Sequence, residues 1–184
     1  MAGIGSHTKP NAGATVEWLT PPEIVQALGP FDLDPFCPPT MPWRTAKEMW
    51  TNQPQSCFGI KHNDGLTRPW HGRVWMNPPY GRETGKCLAK LAAHGNGIAC
   101  IFARTETKMF VDHVWDQADG ILFIHGRPHF HHVDGTRAKG NSGGPVCLVS
   151  YSWSDSCVLA SCGLKGSFMR GWQWASPTTS QLRP

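Results

Sequence analysis

The chain has 184 residues and is 40% hydrophobic, which suits one globular domain with a real core and excludes an intrinsically disordered protein. Its formal net charge of +4 permits nucleic-acid binding without requiring it. No apolar run approaches the length that spans a bilayer, and the first residues lack the pattern of a signal peptide. We therefore expect a protein of the cytoplasm without a membrane partner.

Cysteine and histidine usage gives no sign of a metal site. The seven cysteines contain no CxxC pair and lie in apolar or turn-like segments, as is typical of small core residues in a reducing compartment. The histidines between residues 125 and 132 lack a matching cysteine or carboxylate spacing, so we expect no bound metal. Residues 1–15 and 176–184 are predicted to be flexible tails around one domain of residues 16–175.

The first predicted elements are a short helix and a short strand. A helical pattern begins at Thr20, the predicted N-cap, and ends at Gly29, with Glu23 completing a capping box. Residues 31–34 then form a short strand that ends at Pro35.

The later elements alternate between strand and helix. Strands are predicted over residues 73–77, 97–103, 120–124 and 145–151, and helices over residues 87–94, ending at Gly95, and 106–117, capped by Thr105. The last two strands have only a Gly- and His-rich loop between them, so they can pair antiparallel. The alternation predicts a three-layer α/β sandwich with a mostly parallel sheet and an antiparallel edge hairpin.

The strongest chemical signal is the run Asn77-Pro78-Pro79-Tyr80 after an apolar strand. The amine of adenine is a poor nucleophile because its lone pair is delocalised into the ring. The Asn77 side-chain oxygen and the Pro78 carbonyl can each accept one N–H, which pulls the nitrogen toward tetrahedral geometry. The two prolines stiffen the turn, and Tyr80 offers a flat face for an extruded base. A plain strand that ends in a Pro-Pro turn is the alternative reading.

Three acidic or capping positions suit a ligand that carries a methionine moiety. In a doubly wound sheet ligands bind at the carboxyl ends of strands, so Asp34 and Asn77 are expected to flank one crevice. Asp34 there suits an ammonium group, and the helix that begins at Thr20 suits a carboxylate. Asp64 can accept a hydrogen bond from an adenine amino group. Each position, by itself, reads equally well as an ordinary turn or cap.

With these motifs the sequence resembles the phage-encoded DNA N-6-adenine methyltransferase family over residues 16–152. The matching stretches are residues 17–22, 31–35, 64–66, 74–81, 102–107 and 120–127. The resemblance implies a Rossmann-like class I methyltransferase fold, with S-adenosylmethionine as the donor and N6 of adenine in double-stranded DNA as the acceptor. It also implies action inside a bacterial host cell.

Carried over by position, the resemblance implies roles for individual residues. The implied catalytic motif is Asn77, Pro78, Pro79 and Tyr80. The implied cofactor contacts are Thr20, Pro21, Asp32, Asp34, Pro35 and Asp64. Many methyltransferases have a Gly-x-Gly turn after the first strand, whereas this chain has Asp-Pro-Phe-Cys-Pro-Pro. We therefore expect the cofactor to lie against a different loop.

The DNA contacts are expected to come from loops, because the chain is too short for a separate target-recognition domain. Arg104 and Lys108 follow a strand on the same edge and are expected to touch the target base or its phosphates. The loop after Tyr80 contributes Arg82. The loop of residues 125–144, here called the basic loop, contributes Arg127, Arg137 and Lys139.

Other acceptors and a second class of function remain as alternatives. The side-chain nitrogen of a protein glutamine is planar and weakly nucleophilic, like the adenine amine, so it is a second possible acceptor. RNA adenine is a third. Methyltransferases that modify glutamine typically carry the glycine-rich turn that this chain lacks. A non-catalytic nucleic-acid-binding module would keep the sheet and the basic loop but would have no need of an intact Asn77-to-Tyr80 motif.

The basic loop yields a test of DNA binding. Replacing Arg127, Arg137 and Lys139 together with alanine is expected to weaken DNA binding and to flatten its dependence on salt, because fewer counterions are released from the phosphates. The measurement is a binding titration with double-stranded DNA at several salt concentrations. An unchanged salt slope in the triple variant would show that this loop does not contact DNA.

Overall fold

The computed structural model describes residues 17–54, 56–57 and 59–173. The two predicted tails lie outside these residues. In the part of the chain that is described, no helix is both long enough and apolar enough to cross a membrane.

The described residues form eight strands and four helices, and no helix separates the first four strands. The strands are β1 (Leu33–Asp34), β2 (Glu48–Thr51), β3 (Ile60–His62), β4 (Val74–Met76), β5 (Gly97–Phe102), β6 (Gly120–Ile124), β7 (Val146–Ser150) and β8 (Gly166–Arg170). The helices are α1 (Pro22–Ala27), α2 (Thr84–His94), α3 (Lys108–Phe110), which continues as a π-helix over Val111–Trp115, and α4 (Trp153–Ser161).

The strands form one sheet in the order β3-β2-β1-β4-β5-β7-β6-β8. The first five in this order are parallel to one another, whereas β7 lies antiparallel between β5 and β6. The predicted α/β class, the mostly parallel sheet and the antiparallel pairing of β6 with β7 are confirmed. This pair is not at the edge, because β8 adds antiparallel to β6 and takes that position.

Helices cover both faces of the sheet, which confirms the three layers. Alternate strand residues enter different cores because side chains alternate across a strand. Val74 and Met76 of β4 face a core that includes residues of α2 and the π-helix, whereas Trp75 faces a core that includes residues of α1 and α4. The sheet is therefore buried on both sides in its centre.

Three predicted helix starts were wrong. The second helix begins at Thr84, three residues before its predicted start. The N-cap of α1 is Pro21, and no hydrogen bond within the described residues reaches the buried Thr20 hydroxyl. The chain stays extended through Pro21, so Thr20 lies one residue too early to cap. The third helix begins at Lys108 and is capped by the hydroxyl of Thr107, not by Thr105. Its remaining turns widen into a π-helix, which moves the end to Trp115.

Arg73, which directly precedes β4, connects this strand to α4 and to the segment after α1 around the buried carboxylate of Asp155. Its Nε donates to Oδ1 of Asp155 in α4 at 2.6 Å, and its Nη1 donates to the carbonyls of Leu28 and Pro30 at 2.9 and 3.0 Å. The guanidinium also lies 4.3 Å from the centroid of the Phe31 ring. Because the Asp155 side chain is only 1% exposed, its charge needs this partner.

Arg73→Met is therefore expected to lower the free energy of unfolding by about 3 kcal/mol, because it leaves a buried carboxylate without its cation. Urea denaturation followed by circular dichroism measures the change. The control is Arg170→Met, which breaks a pair with Asp119 whose side chains are 43% and 29% exposed. That pair is expected to contribute less than about 1 kcal/mol. Equal losses in the two variants would contradict the assignment.

Candidate functional site

The candidate site lies at the carboxyl edge of the parallel strands. β1 and β4 are parallel neighbours, with Leu33 opposite Val74. The chain leaves β1 toward β2 on one side and β4 toward β5 on the other, so the strand order reverses between them. Loops diverge at such a point and leave a crevice. Asn77 follows β4 directly, and two cavities open around it and the three residues after it.

The first of these, here called the acidic cavity, has a volume of about 750 Å³. Residues that follow β1, β2 and β4 contribute to its wall. Three carboxylates lie in the wall, and the described wall residues include no Lys, Arg or His; the acidic residues are Glu17, Asp64 and Glu83. The volume is in the range of about 300–1,000 Å³ that is typical of small-ligand pockets. Its charge favours a cationic ligand.

The second, here called the basic cavity, has a volume of about 850 Å³. Phe102 and Phe130 contribute aromatic surface to its wall. His132, Arg137 and Lys139 contribute basic groups, and the described wall residues include no Asp or Glu. Aromatic surface beside cations suits a planar ring that is attached to an anionic group.

The two cavities share two aromatic residues, Trp18 and Tyr80. The Tyr80 ring packs on Phe102 with the ring centroids 4.6 Å apart. The Tyr80 hydroxyl is buried and has no hydrogen-bond partner among the described residues. Burial holds the pKa of Tyr80 well above its usual value, so the phenol stays neutral at physiological pH.

Asn77 lines the acidic cavity beside this border. Its Nδ2 donates to the backbone carbonyl of Trp18 at 2.8 Å. A carbonyl can only accept, so the amide must turn its NH2 group toward Trp18, and this fixes the position of Oδ1. That oxygen is buried, and no hydrogen bond within the described part of the chain satisfies it. A buried acceptor without a partner costs about 1–3 kcal/mol, which points to a ligand donor.

Thr84 holds the turn after Asn77 in place. This residue begins α2 and is buried. Its hydroxyl donates to the Pro79 carbonyl at 2.8 Å and accepts from the Gly81 backbone N–H at 3.0 Å. The turn that presents Tyr80 is thereby attached to a helix that packs into the core.

Some of the predicted cofactor residues line the acidic cavity, and the others lie outside it. Pro35 and Asp64 line the acidic cavity. Asp34 ends β1 as predicted, but its carboxylate is buried and accepts from the Thr45 hydroxyl and the Phe36 backbone N–H. The Asp34 side chain is therefore occupied inside the protein and is not part of the cavity wall.

Asp32, Thr20 and Pro21 line neither cavity. Asp32 precedes β1, and its carboxylate is bound by the Lys47 ammonium at 2.9 Å and by the Arg73 backbone N–H at 2.8 Å. This is the amino edge of the parallel strands, opposite to Asn77. Thr20 is buried beneath the segment that carries Trp18. The predicted cofactor contacts of these residues lack support from the geometry.

Some of the predicted DNA-binding residues line the basic cavity, and the others lie elsewhere on the surface. Arg137 and Lys139 line the basic cavity. Four others are exposed at the surface and line neither cavity: Arg82, Arg104, Lys108 and Arg127. Lys108 forms a salt bridge with Asp112 at 2.7 Å.

Within the described residues, no group of three or more His, Cys, Asp or Glu side chains could hold a metal ion.

Sequence reasoning assigned no role to Lys90 or Trp18. The Lys90 ammonium donates to the carbonyls of Gly65, Leu66 and Arg68 at 2.8, 2.8 and 2.6 Å and thereby fixes the loop that carries Asp64. No sequence signal marks such a contact, because any helix lysine would look the same. Trp18 lies in a stretch that carries the family resemblance, and that position was its only signal.

Comparison with protein-family models, curated proteins and solved structures gives no significant match to this chain.

The buried carboxylate of Asp34 yields a prediction of pH dependence. Burial raises the pKa of Asp34 from 3.8 to about 6. The charged form therefore destabilises the fold above pH 6, and this penalty disappears as the carboxyl is protonated between pH 6 and pH 4. Asp34→Asn is neutral at every pH, and its amide can retain both hydrogen bonds.

We expect Asp34→Asn to be more stable than the wild type at pH 8 by roughly 1–3 kcal/mol. The difference is expected to vanish near pH 3.5. Urea denaturation of both proteins at several pH values measures it. A difference that stays constant over this range would show that the Asp34 charge is not the cause.

Proposed function

We propose that this protein transfers a methyl group from S-adenosylmethionine to the exocyclic N6 of an adenine extruded from DNA. The observation that carries the proposal is the meeting of an acidic cavity and a basic cavity at Trp18 and at Tyr80, the last residue of the turn of residues 77–80. One cavity has the charge that suits a cationic donor, and the other suits an anionic polymer. Tyr80 contributes a neutral aromatic ring to this border, and Asn77 beside it has an acceptor without a partner among the described residues.

The acidic cavity fits the donor in charge, size and position. A sulfonium and an ammonium group outweigh the single carboxylate of S-adenosylmethionine, so the molecule carries net positive charge. Glu17 and Asp64 are placed to attract its cationic groups or to accept from its adenine amine. When bound, this cofactor supplies an activated methyl group.

The basic cavity fits a nucleotide that has left the duplex. Arg137 and Lys139 suit a phosphate, and Phe102 and Tyr80 suit the face of a base. A base and its phosphate are joined through one sugar, so a site for both must combine aromatic and cationic groups over a short distance. The basic cavity provides this combination, whereas the charged groups of the acidic cavity would repel a phosphate.

The residues at the border suit methyl transfer to an amine. Asn77 Oδ1 accepts one N6–H, and the Pro78 carbonyl accepts the other, so the nitrogen lone pair is directed out of the ring plane. S-adenosylmethionine bound in the acidic cavity would supply the methyl group to N6 and would leave as the thioether, which keeps the electron pair of the broken bond. One N6 proton is then lost to solvent, so a strongly basic side chain is not needed. Tyr80, held neutral by burial, contributes its ring face.

The fold is compatible with this function. The order β3-β2-β1-β4-β5 is that of a doubly wound Rossmann-like sheet, in which ligands bind where the order reverses. The loop after β1 contributes Pro35 and Phe36 to the wall in place of a glycine-rich turn. Gly65 approaches this loop so closely that an added Cβ would lie 2.2 Å from the Pro35 carbonyl oxygen. The two loops are therefore in contact with each other, and the cofactor is expected to lie against them in the acidic cavity.

The test uses purified protein, labelled S-adenosylmethionine and unmethylated double-stranded DNA, with digestion to nucleosides and mass spectrometry. Wild type is expected to yield N6-methyladenine. Asn77→Ala removes an acceptor that acts on the reacting amine, so its rate is expected to fall by at least about 100-fold, with DNA binding retained.

Tyr80 provides matched variants for the same assay. Tyr80→Phe is expected to stay active because the hydroxyl has no partner among the described residues, whereas Tyr80→Ala is expected to lose the stacking face and most of the rate. Transfer to RNA or to protein glutamine, but not to DNA, would replace the proposed acceptor. DNA binding without any methyl transfer would favour a binding module.

A further inference from the structure

Trp18 is the aromatic residue for which the proposed mechanism has no role, although it lines both cavities. Its side chain is 37% exposed, which is unusual for so large an apolar group. Within the described residues, Trp153 and Met169 are the other large hydrophobic side chains with this degree of exposure, and both lie outside the two cavities. An exposed indole at the border of two cavities suggests a ligand contact.

The segment that carries Trp18 is attached to both sides of the site. Leu19 and His131 exchange two backbone hydrogen bonds of 2.9 Å, which joins the segment to the basic loop. Glu17 accepts from the Gln53 side chain at 2.7 Å, on the side of the acidic cavity. The Trp18 carbonyl accepts from Asn77 Nδ2. Trp18 is therefore held in a defined place relative to the proposed reacting amine.

The surroundings of the indole favour the base over the cofactor as its ligand. Its ring lies 5.0 Å from the His132 ring, and His132 shares the wall of the basic cavity with Arg137 and Lys139. Aromatic and basic side chains together are typical of nucleotide contacts. Tyr80, whose ring packs against Phe102, lines the same cavity, so a planar group bound there has both aromatic rings in its wall.

We infer that Trp18 is a base-contacting residue that stacks on the extruded adenine from the side opposite Tyr80. The inference rests on the proposed function and adds a second aromatic wall to its acceptor site. Stacking there orients the amine toward Asn77, because the same residue supplies the carbonyl that fixes the Asn77 amide. Trp18 thus contributes both to recognition of the base and to alignment of the Asn77 acceptor oxygen.

The test compares Trp18→Leu and Trp18→Phe with the wild type in methylation of unmethylated plasmid DNA. Leucine keeps apolar volume without a π face, so kcat/KM for DNA is expected to fall roughly 5- to 100-fold. Phenylalanine keeps an aromatic face and is expected to stay within about 3-fold of the wild type. KM for S-adenosylmethionine is expected to change less than KM for DNA in both variants, since the indole is assigned to the base.

Trp153→Leu is the control, because it removes an indole that is 63% exposed and lies outside both cavities. Thermal unfolding of all variants separates loss of fold from loss of stacking. Full activity in Trp18→Leu, or a loss that falls mainly on KM for S-adenosylmethionine, would overturn the inference and leave the proposed function standing. A wild type that methylates no DNA would overturn both.

Discussion

The parallel pairing of β1 with β4 is the constraint on which the site depends. Because Leu33 lies opposite Val74, the residues that follow the two strands emerge at the same edge of the sheet. The connections then diverge, since β1 leads to β2 on one side and β4 to β5 on the other. This divergence opens the crevice in which Asn77 lies, and two cavities there share the side chains of Trp18 and Tyr80.

The two cavities carry opposite charges and share one aromatic border. The acidic cavity attracts a cation and repels phosphate, whereas the basic cavity does the reverse. The charges therefore favour ligands of opposite charge in the two cavities. Trp18 and Tyr80 lie at that border, where an uncharged planar group is suited to both sides.

The site contains buried polar groups that are available to a ligand. The oxygen of Asn77 and the hydroxyl of Tyr80 have no hydrogen-bond partner among the described residues, and each lowers the stability of the fold. Asp155, in contrast, has Arg73 as its partner. Buried polar groups without partners in the wall of a cavity fit a surface that is completed by a ligand.

The sequence by itself determined the fold class, the central strands and the turn at residues 77–80, because these depend on local patterns of apolar residues, proline and glycine. It missed β2, β3, α4 and β8, whose short or polar segments become regular only against their neighbours. It assigned both Asp32 and Asp34 to cofactor binding, whereas Asp32 lies at the amino edge of the sheet and the Asp34 side chain is buried. Only the tertiary structure decided which side chains face the cavities, because that depends on register and packing between distant segments. The position of Trp18 between the two cavities is such a case. The Trp18 carbonyl is bound by Asn77, which lies 59 positions later in the sequence, and the neighbouring Leu19 is bound by His131, which lies more than 100 positions later.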